Sequence, residues 1–177
     1  LAASKLLSAD DARSLLSAVV ERERPRDGES LASLLVQSGK LTPFHAKRLC
    51  EGKADSLILG NYVLLDRIGR GGMGDVFKAE HRRMKRVVAL KVVKPEILDS
   101  PTALKRFQRE VETVAKLDHP NIVPIYETGE VEGRCYFSMK LIEGETLTQH
   151  ICERGENAFS PEFFFSIAGL LAKVADA

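Results

Sequence analysis

Four glycines fall within six residues of this chain, Gly69, Gly71, Gly72 and Gly74, with Ile68 before them and Val76-Phe77-Lys78-Ala79 after. No other feature constrains the fold as much. Glycine has no Cβ, so the backbone there can take positive φ and can approach a phosphate closely. A glycine-rich turn of the dinucleotide-binding kind opens a helix after its last glycine. Here the residues after Gly74 are β-branched or apolar and continue as strand, and Tyr62-Val63-Leu64-Leu65 before it read as strand too. The pattern predicts a glycine-tipped hairpin. Taken alone, it serves a phosphate ligand or no ligand at all.

From Val87 to Val93 the chain is apolar except for Lys91. This is a third strand, and an unpaired buried ammonium is costly, so Lys91 must face something negative or reach solvent at a sheet edge. Leu104, Phe107, Val111 and Val114 then recur at three- and four-residue spacing, which predicts a helix over 101–117. Glu110 stands beside that apolar face and is the natural partner of Lys91, although for this residue taken singly a solvated helix glutamate is the ordinary explanation. Two further strands are expected at 122–127 and 134–141, with turn signals at Thr128-Gly129 and Glu132-Gly133. The order predicts an α+β fold, a five-stranded antiparallel sheet with one helix packed on it.

Residues 1–53 read as a small all-α domain with a weak internal repeat. Ser4-x-x-Leu7-Ser8-x-x-x-Ala12-x-x-Leu15 recurs 34 positions later as Ser38-x-x-Leu41-Thr42-x-x-x-Ala46-x-x-Leu49. In each copy a hydroxyl residue can cap a helix, and Pro43 suits a first helical position. The charged stretch ERERPRDG, 21–28, reads as a loop, and Leu31, Leu34 and Leu35 form a helix face ending near Gly39. No pattern in this part carries chemistry, so a docking or spacer module is expected, with 54–60 as a linker.

Glycine hairpin, strand lysine and helix glutamate together resemble the small lobe of the protein kinase family, in its bacterial, eukaryotic-like serine/threonine branch. The likeness extends through His119-Pro120-Asn121-Ile122-Val123 and through Tyr136 to Gly144 (YFSMKLIEG). It implies a kinase small lobe over 61–142, then a hinge exit and the first helices of a truncated large lobe over 143–177. It further implies that Gly69, Gly71 and Gly74, with Arg70, Gly72 and Met73 between them, fold over the phosphates of ATP. Lys91 would contact the α- and β-phosphates and be held by Glu110. Ile68, Val76 and Ala89 would cover the adenine, Met139 would be the gatekeeper, and the backbone of Lys140 and Ile142 would read the adenine edge. Val114 and Ile125 would belong to an apolar spine. Lys140 stands where the family commonly has an acidic residue, a change that main-chain recognition tolerates, and His119 is a structural loop residue.

Phosphoryl transfer also needs a catalytic-loop Asp and ligands for Mg2+, and the sequence contains no HRD, DFG or APE. Ser160 and Pro161 start a last helix whose face is Phe164, Ile167, Leu171 and Val174. The expectation is therefore an ATP-binding lobe, inactive by itself, from a parent that phosphorylates Ser/Thr of proteins. The alternatives are a pseudokinase or nucleotide-sensing and dimerisation module, or an interaction protein working through 1–53. The last helix, 161–176, would self-associate or pack on the N-terminal helices. Leu1 in place of Met suggests a longer parent.

Bulk properties exclude other classes. A net charge of +1 calls for neither nucleic acid nor an anionic membrane. The longest apolar run, 163–172, is interrupted by Ser166 and Gly169 and is far shorter than the roughly 20 residues of a membrane span. Cys50, Cys135 and Cys152 are unpaired by spacing, as in a cytoplasmic protein, and the four histidines do not cluster as metal ligands.

Overall fold

The computed structural model describes residues 27–153 and 160–175. Helix α1, Gly28–Gln37, begins where the Asp27 carboxylate accepts the Ser30 N–H at 2.8 Å. It stops before Gly39, whose φ of +69° no L side chain adopts readily. Helix α2, Pro43–Cys50, is capped reciprocally: the Thr42 hydroxyl accepts the His45 N–H at 3.1 Å, and His45 Nδ1 accepts the Thr42 N–H at 3.2 Å. A histidine thus does the work that Glu or Gln does in the usual capping box. The two helices meet through Leu35 and Leu41, flanked by Leu31 and Leu49. The first copy of the sequence repeat, Ser4 to Leu15, lies outside the described residues.

Six strands follow: β1 (Ile58–Leu59), β2 (Tyr62–Arg70), β3 (Gly74–His81), β4 (Arg86–Val93), β5 (Ile125–Val131) and β6 (Arg134–Met139). They form one antiparallel sheet in the order β1-β2-β3-β4-β6-β5. Helix α3, Pro101–Ala115, is the only helix of more than one turn between β4 and β5, with Ser100 as its cap. After the sheet come α4 (Leu147–Glu153) and α5 (Pro161–Ala175).

The sheet departs from the sequence expectation in three places. The 54–60 stretch is packed rather than a free linker: Ala54–Leu57 is a 3-10 turn, and β1 folds back on β2 through Gly60 at φ +56°. Leu57 and Leu59 are 0% and 1% exposed, and their burial is what makes a sixth strand. Thr128 and Gly129 lie inside β5, not in a turn. The Tyr136 ring crosses Gly129 so closely that a Cβ there would sit 2.5 Å from its hydroxyl, so the glycine makes room rather than a bend. The turn is at Glu132-Gly133, both at positive φ. Finally, β5 starts at Ile125 because Ile122 is turned back by its N–H bond to the His119 carbonyl, 3.1 Å, and Pro124 has no N–H to donate.

The two faces of the sheet have different occupants. One carries Tyr62, Leu64, Phe77, Leu90, Val92 and Tyr136, the main core, against which Phe44 of α2 packs. Docking of α2 is also polar: Thr42 Oγ1 donates to the Leu65 carbonyl and His45 Nε2 to the Leu64 carbonyl, each at 2.7 Å. Those carbonyls lie where the β2–β3 register shifts, so backbone acceptors released by the irregularity are taken up by the helix. The other face, set by register, carries Val76, Ala89, Lys91, Phe137 and Met139. Helix α3 lies on this second face, with Val111 buried and Phe107 6.2 Å from the Phe137 ring. Helix α5 is capped by Ser160 and buries Phe163 beside His150, while Phe165 and Leu171 are exposed.

Candidate functional site

The hairpin between β2 and β3 is built by the backbone. The Gly71 N–H donates to the Gly74 carbonyl at 2.9 Å, and the Lys94 N–H donates to the Met73 carbonyl at 3.0 Å. Lys94 Nζ reaches the Gly71 carbonyl at 3.0 Å, so one residue beyond β4 holds the tip twice. None of the four hairpin glycines has positive φ, so the left-handed freedom that glycine allows is not used there. What Gly74 supplies is space: a Cβ there would stand 2.1 Å from the Val92 carbonyl oxygen. At Gly72 a Cβ would meet nothing within 4 Å, so that glycine leaves open space instead. Arg70 is exposed with Nε 3.9 Å from Asp75 Oδ1, and Ile68 is exposed at the edge of the hairpin.

Beneath the hairpin, between β4, β6 and α3, lies a mostly apolar hollow of about 280 Å³. Met73, Lys91, Glu110, Phe137 and Met139 line it, together with Val114 and Ile125. Lys91 and Glu110 therefore face one cavity on one side of the sheet. They do not pair. Lys91 Nζ lies 3.9 Å from Met73 Sδ and 5.8 Å over the Phe137 ring, a cation–π approach. Glu110 Oε1 instead accepts Arg106 Nε at 2.9 Å, one helical turn earlier. The correction has a physical reason: an i,i+4 pair in water needs no desolvation, whereas meeting Lys91 would draw both charges into the hollow.

The segment after β6 presents backbone groups selectively. The Lys140 N–H donates to the Pro124 carbonyl at 3.2 Å. The Ile142 N–H has no protein acceptor among the described residues. A second hollow of about 500 Å³ adjoins them, lined by Lys78, Val87, Lys140 and Ile142. Met139 stands opposite Ala89 in register, at the edge of the first hollow.

Sequence reasoning missed Lys94, the Phe107–Phe137 contact and the Arg106–Glu110 pair. Only Lys94 had a signal available, a second cation just where the apolar β4 run ends.

The sequence pattern described as "Protein kinase domain" matches residues 62–172. This chain belongs to the protein kinase domain family. Among its relatives, the serine/threonine-protein kinase PknD of Mycobacterium tuberculosis is 39% identical over 118 residues, covering 67% of this chain and 18% of that protein. The serine/threonine-protein kinase PrkC of Bacillus subtilis is 40% identical over 98 residues, 55% of this chain and 15% of PrkC. Among solved structures, the M. tuberculosis PknI kinase domain superposes with a TM-score of 0.57 at 28% identity, over 66% of this chain and 45% of that one. The chain thus spans under a fifth of the bacterial kinases it resembles and under half of a solved kinase domain. Helices α1 and α2 precede the kinase-matched segment.

Proposed function

We propose that residues 61–142 are the ATP-binding lobe of a protein serine/threonine kinase. One observation supports this above the others: Lys91 and Glu110 line a single hollow beneath the tip of the glycine hairpin. ATP supplies the phosphoryl group in such a kinase. In this chain Lys91 binds the triphosphate, and the hairpin, pinned by Lys94, covers it. The Lys140 carbonyl accepts from the adenine edge and the Ile142 N–H donates to it, while Val76 and Ala89 exclude water from above. Glu110 orients Lys91 once Arg106 releases it. The Mg2+ that accompanies ATP is held in a kinase by a catalytic-loop Asn and a DFG Asp, and this sequence contains no HRD or DFG motif to supply them.

We further propose that the chain alone transfers no phosphoryl group, since it has no HRD or DFG, and that its parent acts on Ser/Thr of proteins. Free thiols at Cys50, Cys135 and Cys152 support a cytoplasmic location. No described helix is long and apolar enough to cross a membrane. The exposed Phe165 and Leu171 of α5 support self-association through that helix.

A titration with a fluorescent ATP analogue and Mg2+ tests the central reading. Weak saturable binding that Lys91→Met abolishes is expected; binding indifferent to that substitution overturns it. Glu110 in the hands of Arg106 favours a second reading, a nucleotide sensor without catalysis. Phosphate incorporation by the parent chain decides between the two.

A further inference from the structure

Met73 is the hairpin residue whose side chain reaches the strand lysine. It is 58% exposed, so its thioether is open to solvent oxidants, and its sulfur is 3.9 Å from Lys91 Nζ. A thioether is a weak acceptor, and Lys91 forms no ion pair among the described residues because Glu110 is bonded to Arg106. We infer that Met73 is an oxidation site that switches the nucleotide pocket: its sulfoxide oxygen captures the ammonium of Lys91. The inference rests on the proposal that Lys91 binds phosphates.

The chemistry closes with a peroxide as the oxidant. A sulfur lone pair attacks one oxygen of hydrogen peroxide, the S–O bond forms as the O–O bond breaks, and the departing oxygen leaves as water with both protons. Sulfur loses two electrons and the peroxide gains them. The product carries a strongly polar oxygen where a soft atom stood. Aimed along the existing sulfur–nitrogen line, that oxygen lies within hydrogen-bonding reach of the ammonium, and the bond is charge-assisted. A phosphate must then compete for the same donor. Methionine sulfoxide reductase with a dithiol reverses the change, the oxygen leaving as water and the dithiol becoming a disulfide.

The chain contains its own control. Met84 is 72% exposed in the turn between β3 and β4, at the end of that hairpin opposite Gly74 and Val93. It oxidises readily and lies far from Lys91. The third methionine, Met139, lines the hollow and is half-buried.

The test treats the whole chain with hydrogen peroxide and locates sulfoxides by peptide mass spectrometry. Two quantities are then read, each against the same chain untreated: the acylation rate of Lys91 by an amine-reactive ester, and the affinity for a fluorescent ATP analogue. In the native sequence and in Met84→Leu, oxidation should slow Lys91 acylation and weaken the nucleotide by about tenfold. Reductase treatment should restore both, and Met73→Leu should not respond. Met73 remaining a thioether while Met84 is oxidised overturns the inference. So does an acylation rate unchanged by Met73 sulfoxide, or changed equally in Met73→Leu. The acylation arm decides whether or not the untreated chain binds nucleotide, and absence of that binding counts against the nucleotide reading instead.

Discussion

His45 Nε2 lies 2.7 Å from the carbonyl oxygen of Leu64 and joins the N-terminal helices to the strand that leads into the glycine hairpin. The ring also accepts the Thr42 N–H, so the native contact needs neutral imidazole with its proton on Nε2. Burial, partly opposed by the Leu64 bond, holds His45 below its usual pKa. An unfolded His45 takes up its proton near pH 6.5, and the native one only at lower pH. Below that value the unfolded state binds more protons, so stability falls as pH falls through the window and levels off beneath the native pKa. Chemical unfolding midpoints between about pH 8 and about pH 5 should show this fall, and His45→Gln should flatten it. His45→Ala should cost about 1–3 kcal/mol at neutral pH, since a buried carbonyl loses its donor.

Gly74 and Gly72 should respond oppositely to the same added methyl group. At Gly74 the new Cβ meets backbone oxygen at 2.1 Å, and backbone in a sheet interior cannot give way. Gly74→Ala should therefore destabilise the chain by about 1–3 kcal/mol and shift the thermal midpoint down. Gly72→Ala meets open space and should leave the midpoint unchanged. Equal effects at the two positions would refute this account of the hairpin.

Much of this architecture was legible from side-chain pattern, because the glycine cluster, the apolar β4 run around Lys91 and the face of α3 are dictated by local periodicity. What was illegible depended on contacts between remote groups. Strand β1 is only two residues long, too short for an alternation to register. Gly129 looks like a turn residue until Tyr136 is seen crossing it. Charge pairing is likewise undecided in a sequence: Glu110 had two cations within reach, and solvation favoured Arg106 over Lys91. The docking of α2 was invisible for a further reason. Its polar bonds run from Thr42 and His45 to backbone carbonyls, which leave no residue-type signature on β2.

Releasing Glu110 should favour the pocket. The Arg106–Glu110 pair is exposed on both sides and contributes about 0.3–0.5 kcal/mol to the helix. Arg106→Ala should thus leave the thermal midpoint nearly unchanged. With its competitor gone, the carboxylate can turn to Lys91, and affinity for a fluorescent ATP analogue should rise. The rise should disappear in the Arg106→Ala, Glu110→Gln double variant. A rise that survives there would show that Arg106 acts on the nucleotide by another route.

Tyr62 should make the chain sensitive to alkali. Its hydroxyl donates to Glu127 Oε2 at 2.7 Å and lies 2.9 Å from Ser138 Oγ, which is 0% exposed. Burial is the main cause of a phenol pKa pushed up to about 12, with Glu127 adding to the rise and Ser138 opposing it. The unfolded phenol titrates near 10. Between the two values the native state holds a proton that the unfolded state has released. The stability is therefore fully present below pH of about 10 and is lost as pH rises towards about 12. Tyr62→Phe removes that titration and leaves Ser138 without its partner, a loss of about 1–2 kcal/mol at neutral pH. Urea unfolding of the native chain and of Tyr62→Phe should accordingly differ most at neutral pH and converge as the solution is made alkaline. Parallel curves across that range would mean that Tyr62 is not the group whose ionisation loosens the sheet.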